Sequence, residues 1–169
     1  MKTMKNLAIL VLGVVLMATT ACNSEPSIKS ALGEYNYRLS GTARIYDQDT
    51  DEAVQVTLEA ETGTLKVVRG NEPNTGIMTV YADQGSTYEL PLLFAHDTVW
   101  VEGPQDTYRD IEVTVNGQKE LFHIRIGGQG FVLNNGDLTI HLGYNGRCRD
   151  TSKSLILTAG DVHMNAKKQ

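Results

Sequence analysis

Cysteine is scarce in this sequence, with only Cys22 and Cys148 among 169 residues. A small domain built on a disulfide framework needs more cysteines than this, so that class of protein is excluded. Two readings of the pair remain open. Cys22 and Cys148 could form one disulfide in an oxidising compartment, or Cys148 could be a lone thiol if Cys22 has another role.

The N-terminal apolar run is too short for a permanent transmembrane helix. Residues 7–18 read LAILVLGVVLMA, and these 12 residues fall short of the roughly 20 that a spanning helix needs. Lys2 and Lys5 precede the run, and the small residues TTA follow it before Cys22. A basic start, a short apolar stretch and a small-residue site predict a secretory signal peptide over residues 1–21 that is removed.

Basic side chains are in deficit once that segment is removed. Lys2 and Lys5 are lost and no acid is lost, so 13 basic side chains face 20 acidic ones, a net charge of −7. Such a surface repels nucleic acid and offers no polybasic patch to anionic lipid. The remaining chain has the length of about one domain and can bury a core without disulfides.

Motifs of the common enzyme classes are absent. The sequence has no GxSxG nucleophile elbow, and the GGQG run at residues 127–130 is neither a dinucleotide nor a phosphate loop. Cys148 lies between Arg147 and Arg149, but the sequence identifies no base for it. The acids are spread over loops and polar faces. We therefore predict a protein that is not an enzyme and uses no cofactor.

Alternation of apolar and polar side chains with a period of two dominates the chain from Tyr35 onward. This period is typical of half-buried strands, and no 3.6-residue stripe indicates a helix. Strands are predicted at residues 35–46, 53–61, 64–69, 76–82, 87–94, 98–102, 109–116, 118–126, 130–144 (as a hairpin) and 154–166. The sequence thus predicts one all-β domain over residues 35–169, joined to Cys22 by a tether over residues 22–34.

Turn residues separate the predicted strands. Asn116-Gly117 and Asn135-Gly136 favour type I′ hairpin turns, while Thr62-Gly63 and Asn145-Gly146 are also predicted as turns. Short hairpins between successive strands favour an antiparallel meander, and a meander of eight or more strands closes naturally into an up-and-down barrel. A two-sheet β-sandwich shows the same alternation and remains the alternative.

Two regions of the chain carry a resemblance to a known family. Ala21-Cys22 resembles the lipobox of bacterial lipoproteins, and the polar stretch NSEPSIKSALGE after it suits a tether. The segments LSGTARIYDQDTDEAVQVTLEAE and IEVTVNGQ are similar to small bacterial lipoproteins with calycin-like, or lipocalin-like, domains. The resemblance implies acyl chains on Cys22, a membrane anchor on the periplasmic side or surface of the bacterial cell envelope, and a barrel with an apolar interior.

Acidic residues near position 50 have the opening spacing of a calcium loop. Asp47, Asp49 and Asp51 fit that opening, but Glu52 and Leu58 occupy the positions where an EF-hand has glycine and glutamate. The residues also lie between two predicted strands. We therefore predict a solvated hairpin loop.

The histidines give no metal-binding spacing. His123, His141 and His163 fall on the polar faces of their strands, and no two histidines are spaced i, i+2 or i, i+4. We predict exposed histidines and no metal site.

Two functions of different classes follow from a barrel of this kind. The first is binding of a small apolar or amphipathic ligand inside the barrel, with Leu39, Val56, Val113 and Ile124 as inward-facing contacts. The second is a solid-core structural or interaction domain that serves as an accessory to an envelope protein complex. An open cavity favours the first function, and a filled interior with an exposed aromatic patch favours the second.

Overall fold

The computed structural model describes residues 28–102 and 107–169, so the predicted signal peptide and Cys22 lie outside the described residues. Its elements are α1 (Ile28–Ala31), β1 (Gly33–Asp47), β2 (Glu52–Arg69), β3 (Thr75–Ala82), β4 (Thr87–Ala95), β5 (Thr98–Val101), β6 (Thr107–Val115), β7 (Gln118–Val132), β8 (Leu138–Cys148) and β9 (Leu155–Lys168). Within the described ranges, no helix has the length and hydropathy needed to cross a bilayer.

The strands form one antiparallel sheet that closes on itself. The order is β5-β4-β3-β2-β1-β9-β8-β7-β6, and β5 also pairs with β7. This extra ladder runs from Thr98 opposite Phe131 to Val101 opposite Gly128, and it completes a ring of hydrogen bonds. The predicted all-β meander and its closure into a barrel are confirmed, and the two-sheet sandwich is not the architecture.

Strand β7 pairs with β8 along one edge and with both β6 and β5 along the other, and this leaves a gap in the wall of the barrel. Residues 118–126 of β7 pair with β6, and residues 128–131 pair with β5, so the partner changes at Gly127. On the other side of the gap, β3 pairs with β2 only from Gly63 onward. The first half of β2 therefore lies beside β6 with no hydrogen-bonded ladder between them. We call this gap the seam.

One predicted hairpin turn has the expected geometry and another does not. Asn116 and Gly117 have φ of 50° and 82°, as a type I′ turn requires, so this prediction is confirmed. The type I′ prediction for Asn135-Gly136 is wrong, because only Gly136 has positive φ. There the Gly136 N–H donates to the Leu133 carbonyl at 2.8 Å, which makes a type I turn followed by a left-handed glycine.

Two further predicted turns lie inside strands. Residues 62–63 fall within β2, and residues 145–146 fall within β8. A Cβ on Gly63 would lie 2.1 Å from the Tyr81 carbonyl oxygen, and one on Gly146 would lie 2.0 Å from that of His123. These glycines allow neighbouring strands to approach closely, which is a second reason for glycine in a sheet.

The stretch predicted as a tether reaches into the folded domain. Ile28 and Ala31 of α1 are 2% and 0% exposed and pack in the core. The Tyr35 hydroxyl lies 2.7 Å from the Ala31 carbonyl oxygen and 3.1 Å from that of Gly136, which fixes α1 at one end of the barrel. Burying a side chain the size of Ile28 contributes about 1.5–3 kcal/mol. The described fold thus begins before residue 35.

Candidate functional site

The four residues predicted to face inward do so to different degrees. Leu39, Val113 and Ile124 are buried in the core, and Val56 is half-buried against it. Val113 and Ile124 are surrounded by other core side chains, with 3% and 0% exposure. Leu39 has a second environment, because it also lines a pocket that opens at the seam. Whether any of the four contacts a ligand stays a prediction.

A bulge in β2 places an acidic side chain inside the barrel. Leu39 of β1 lies opposite Glu61, whereas Gly41 lies opposite Leu58, so β2 holds one extra residue in this interval. Inward positions on β2 therefore change from even to odd numbers, and Glu61 is turned from the polar face to the interior. Its exposure is 5%. A β-bulge has this effect because side chains alternate strictly along a strand.

The Glu61 carboxylate accepts hydrogen bonds from four side chains. The Tyr37 and Tyr88 hydroxyls donate to Oε1 at 2.9 and 2.8 Å. Gln84 Nε2 and an Arg109 guanidinium nitrogen donate to Oε2 at 3.2 and 3.0 Å. The guanidinium also lies over the Tyr88 ring, with Cζ 4.0 Å from the ring centroid. Each carboxylate oxygen thus has two donors, which is the saturation that a buried charge requires.

Burial sets the electrostatics of this cluster. The side chains of Arg109 and Glu61 are 14% and 6% exposed. Burial, together with the Glu61 charge, raises the pKa of Tyr37 and of Tyr88 well above the ordinary value, and burial also raises the pKa of Tyr144. For Arg109, burial lowers the pKa, but the hydrogen bond and the charge of Glu61 outweigh it and the net pKa is raised. Tyr37 and Tyr88 are therefore neutral donors beside a fixed ion pair.

A pocket of about 370 Å³ opens at the seam above this cluster, and we call it the seam pocket. Apolar side chains of Leu39, Leu58 and Ile111 form part of its lining. Ser86 also lines it, and its Oγ is buried with no hydrogen-bond partner within the described ranges. The seam pocket thus has apolar walls beside the buried Glu61–Arg109 pair.

Acidic groups outnumber basic ones around the seam pocket. Its lining includes four carboxylates and one guanidinium, and they belong to Glu59, Glu61, Asp110, Glu112 and Arg109. Arg109 is bound to Glu61 and so offers little charge to a further anion. An anionic guest would meet repulsion at the rim, and a donor or cationic group would meet attraction.

Other residues considered from the sequence lie elsewhere. Asp49 and Asp51 lie in the exposed hairpin turn between β1 and β2, as predicted, whereas Asp47 is half-buried and is the last residue of β1. Cys148 is a free, buried cysteine, and its Sγ lies 3.8 Å from a Glu120 carboxylate oxygen. The seam pocket includes none of these side chains in its lining.

Neither Glu61 nor Arg109 was predicted from the sequence as a site residue, although the sequence contained a signal for Arg109. Arg109 shares the parity of Ile111, Val113 and Val115, so its inward direction could have been read from the alternation of β6. Glu61 could not, because the bulge between residues 58 and 61 reverses the parity of β2 without a distinctive residue to mark it.

No family model, curated protein or solved structure matches this chain significantly.

Proposed function

We propose that this protein is a lipid-anchored lipoprotein of the bacterial cell envelope that binds a small amphipathic ligand in the seam pocket and is not an enzyme. The anchor is the acylated Cys22 predicted from the sequence. Acyl chains contribute about 0.8 kcal/mol per buried methylene group, so two or more give stable attachment without help from the acidic domain. The seam pocket, with apolar walls beside the buried Glu61–Arg109 pair, is the observation that carries the binding proposal.

The site of binding differs from the central cavity that a calycin-like barrel implies. Val113 and Ile124 pack against other side chains, so the room for a guest lies at the seam, between β2 and β6. A pocket of about 370 Å³ is at the lower end of the volumes usual for small-molecule sites. The guest is therefore small, with an apolar part against Leu58 and Ile111.

The surrounding charge selects the head group of that guest. The buried Glu61–Arg109 pair neutralises itself, which leaves the carboxylates of Glu59, Asp110 and Glu112 at the rim. Asp110 and Glu112 have basic partners on the surface, Arg149 and Lys119, so the excess is moderate. The ligand class is a small amphiphile with a cationic or hydrogen-bond-donating head group.

Fluorescence titration with two dansyl probes of opposite charge tests the proposal. Dansylcadaverine is a cationic amphiphile, and a dansyl-labelled fatty acid is its anionic counterpart. We expect dansylcadaverine to bind the purified protein with a blue-shifted emission and the fatty acid to bind more weakly. Preference for the fatty acid would refute the charge argument, and no binding of either probe would refute the proposed function.

Two variants on one strand provide the matched control. Ile111 lines the seam pocket and Val113, two residues further along β6, is buried in the core. Ile111→Trp should fill the pocket and weaken probe binding by at least about tenfold, which corresponds to roughly 1.4 kcal/mol, with little loss of stability. Val113→Trp should instead destabilise the domain by about 1–3 kcal/mol through overpacking.

A second candidate function, an interaction domain in an envelope complex, is favoured by an apolar band on the outer wall. Ile77 is 37% exposed and lies opposite Pro91, while Phe131 is 51% exposed and lies opposite Thr98, two residues before Trp100. The other members of this band are Val68, Pro91, Leu93 and Trp100. Contiguous exposed apolar surface commonly marks a protein interface.

The two functions respond to different substitutions. Under the interaction function, Ile77→Ser with Phe131→Ser should release a partner when complexes are purified from membranes, and probe binding should not change. Under the binding function, Ile111→Trp should abolish probe binding while complexes stay intact.

A further inference from the structure

A second cluster lies on the outer wall of the barrel, away from the seam pocket. His141 of β8 is directly opposite His163 of β9, and Asp161 is two residues before His163 on the same face. Single-strand spacing could not reveal this arrangement, because the two histidines meet only through the pairing of β8 with β9. The two imidazole rings are stacked, with centroids 4.7 Å apart and planes within 10°.

The ligand atoms of these three residues converge. His141 Nε2 is 2.5 Å and His163 Nε2 is 3.3 Å from the same carboxylate oxygen of Asp161. The three donor atoms lie within 4.8 Å of one another. Ligand bonds of about 2.0–2.2 Å in a tetrahedral arrangement place neighbouring ligand atoms roughly 3.4 Å apart. Small rotations of exposed side chains therefore bring all three atoms to one ion.

Space for the remaining ligands of an ion is present beside the carboxylate. Asp161 lies opposite Gly143 on β8, and Gly143 lies opposite Gly127 on β7. A Cβ built on Gly143 would meet no atom closer than the Gly127 carbonyl oxygen at 3.9 Å. Both glycines line an open depression of about 480 Å³. None of the three proposed ligands lines this depression, but their side chains are 57–65% exposed, so water or a small anion can reach the open positions.

We propose that His141, Asp161 and His163 bind one divalent transition-metal ion of the zinc type. Two imidazole nitrogens and one carboxylate suit Zn²⁺, whereas Ca²⁺ and Mg²⁺ require oxygen ligands. Each histidine binds the ion through the Nε2 lone pair, so its ring proton moves to Nδ1. The arrangement has three protein ligands and open positions, so the ion keeps exchangeable ligands.

Calorimetry with ZnCl₂ on the full-length protein, purified in detergent, tests the site. We expect one Zn²⁺ per chain, no detectable binding of MgCl₂, and a higher melting temperature in the presence of zinc. His141→Gln and His163→Gln should each weaken zinc binding by at least about tenfold. His123→Gln is the matched control, because His123 is also accessible on the outer wall and belongs to a different cluster with Asp110.

The side chains of the three proposed ligands are 57–65% exposed, so the variants should fold, and circular dichroism before titration checks this. Asp161→Asn keeps the shape of the side chain and removes its charge, and it should also weaken zinc binding. The proposal is overturned if the wild type binds no zinc at millimolar concentration, or if His123→Gln lowers the affinity as much as His163→Gln does.

Discussion

Substitution of Arg109 by methionine should destabilise the domain strongly, because it leaves the Glu61 carboxylate buried without its cation. Methionine keeps a similar apolar length but cannot donate the 3.0 Å hydrogen bond to Oε2. It also removes the cation that lies 4.0 Å from the centre of the Tyr88 ring. Breaking one partner of a buried ion pair costs about 3–5 kcal/mol.

Urea unfolding followed by the fluorescence of Trp100 measures this loss. With a slope of about 2 kcal/mol per molar urea, the Arg109→Met midpoint should fall by roughly 2 M. The double variant Glu61→Gln with Arg109→Met should lose less than the sum of its single variants, because it removes the unpaired charge. Glu61→Gln alone should be destabilising, since it leaves the buried Arg109 guanidinium without its counter-charge.

An exposed ion pair on the same barrel provides the control. Lys66 bonds Glu34 across β1 and β2 at 3.2 Å, with side chains that are 51% and 60% exposed. Lys66→Met should change the free energy of unfolding by no more than about 1 kcal/mol. An Arg109→Met variant that loses no more stability than Lys66→Met would refute the argument that the Glu61 cluster is buried and saturated.

Three further outcomes are expected. Above pH 10 the domain should lose stability, because the pKa of Tyr37, Tyr88 and Tyr144 is raised in the folded chain above the ordinary value of 10.0, and the unfolded chain releases these protons first. Absorbance at 295 nm should show these tyrosines ionising only as the domain unfolds, and ionisation of all tyrosines before unfolding would contradict this. Gly117→Val should lower the free energy of unfolding by about 1 kcal/mol or more, since φ at residue 117 is 82°. Gly127→Ala is the control and should leave the melting temperature nearly unchanged, because its Cβ would meet nothing closer than 4.0 Å. Equal melting temperatures for the two variants would contradict the turn assignment. Cys22→Ser should move the protein from the membrane fraction to the soluble fraction with the domain still folded, and a variant that still pellets with membranes after a high-salt wash would contradict the anchor.

Alternation along the chain predicted the strands, and the short hairpins between them favoured the barrel over the sandwich. The inward series Tyr37, Leu39, Ala43 and Ile45 is buried in the structure, and the turn at Asn116-Gly117 is where its residues indicate. What alternation could not predict is the length of a strand that continues through glycine. β2 continues past Gly63, because a residue without a Cβ leaves room for the Tyr81 carbonyl oxygen of the neighbouring strand. In the sequence, a glycine that allows this close approach looks the same as a glycine that forms a turn.

The functional clusters were harder to predict, because each depends on contacts between strands. Glu61 becomes an interior residue only through a bulge, and its four donors come from separate elements of the chain. His141 and His163 are 22 positions apart and meet only in the register of β8 with β9. Residue types and spacing therefore predicted the strands of the barrel. The Glu61 cluster and the histidine cluster are visible only once the strands are paired.

Native mass spectrometry of the protein released from its own membranes shows whether the seam pocket holds a ligand. If the seam pocket binds a small amphiphile, the wild-type protein should carry one additional small molecule per chain, and Ile111→Trp prepared in the same way should not. Zinc should be removed beforehand with a chelator, so that an ion bound by His141, Asp161 and His163 does not add to the measured mass. If the wild-type protein carries no small molecule, or if the additional mass persists in Ile111→Trp, the seam pocket is not the binding site.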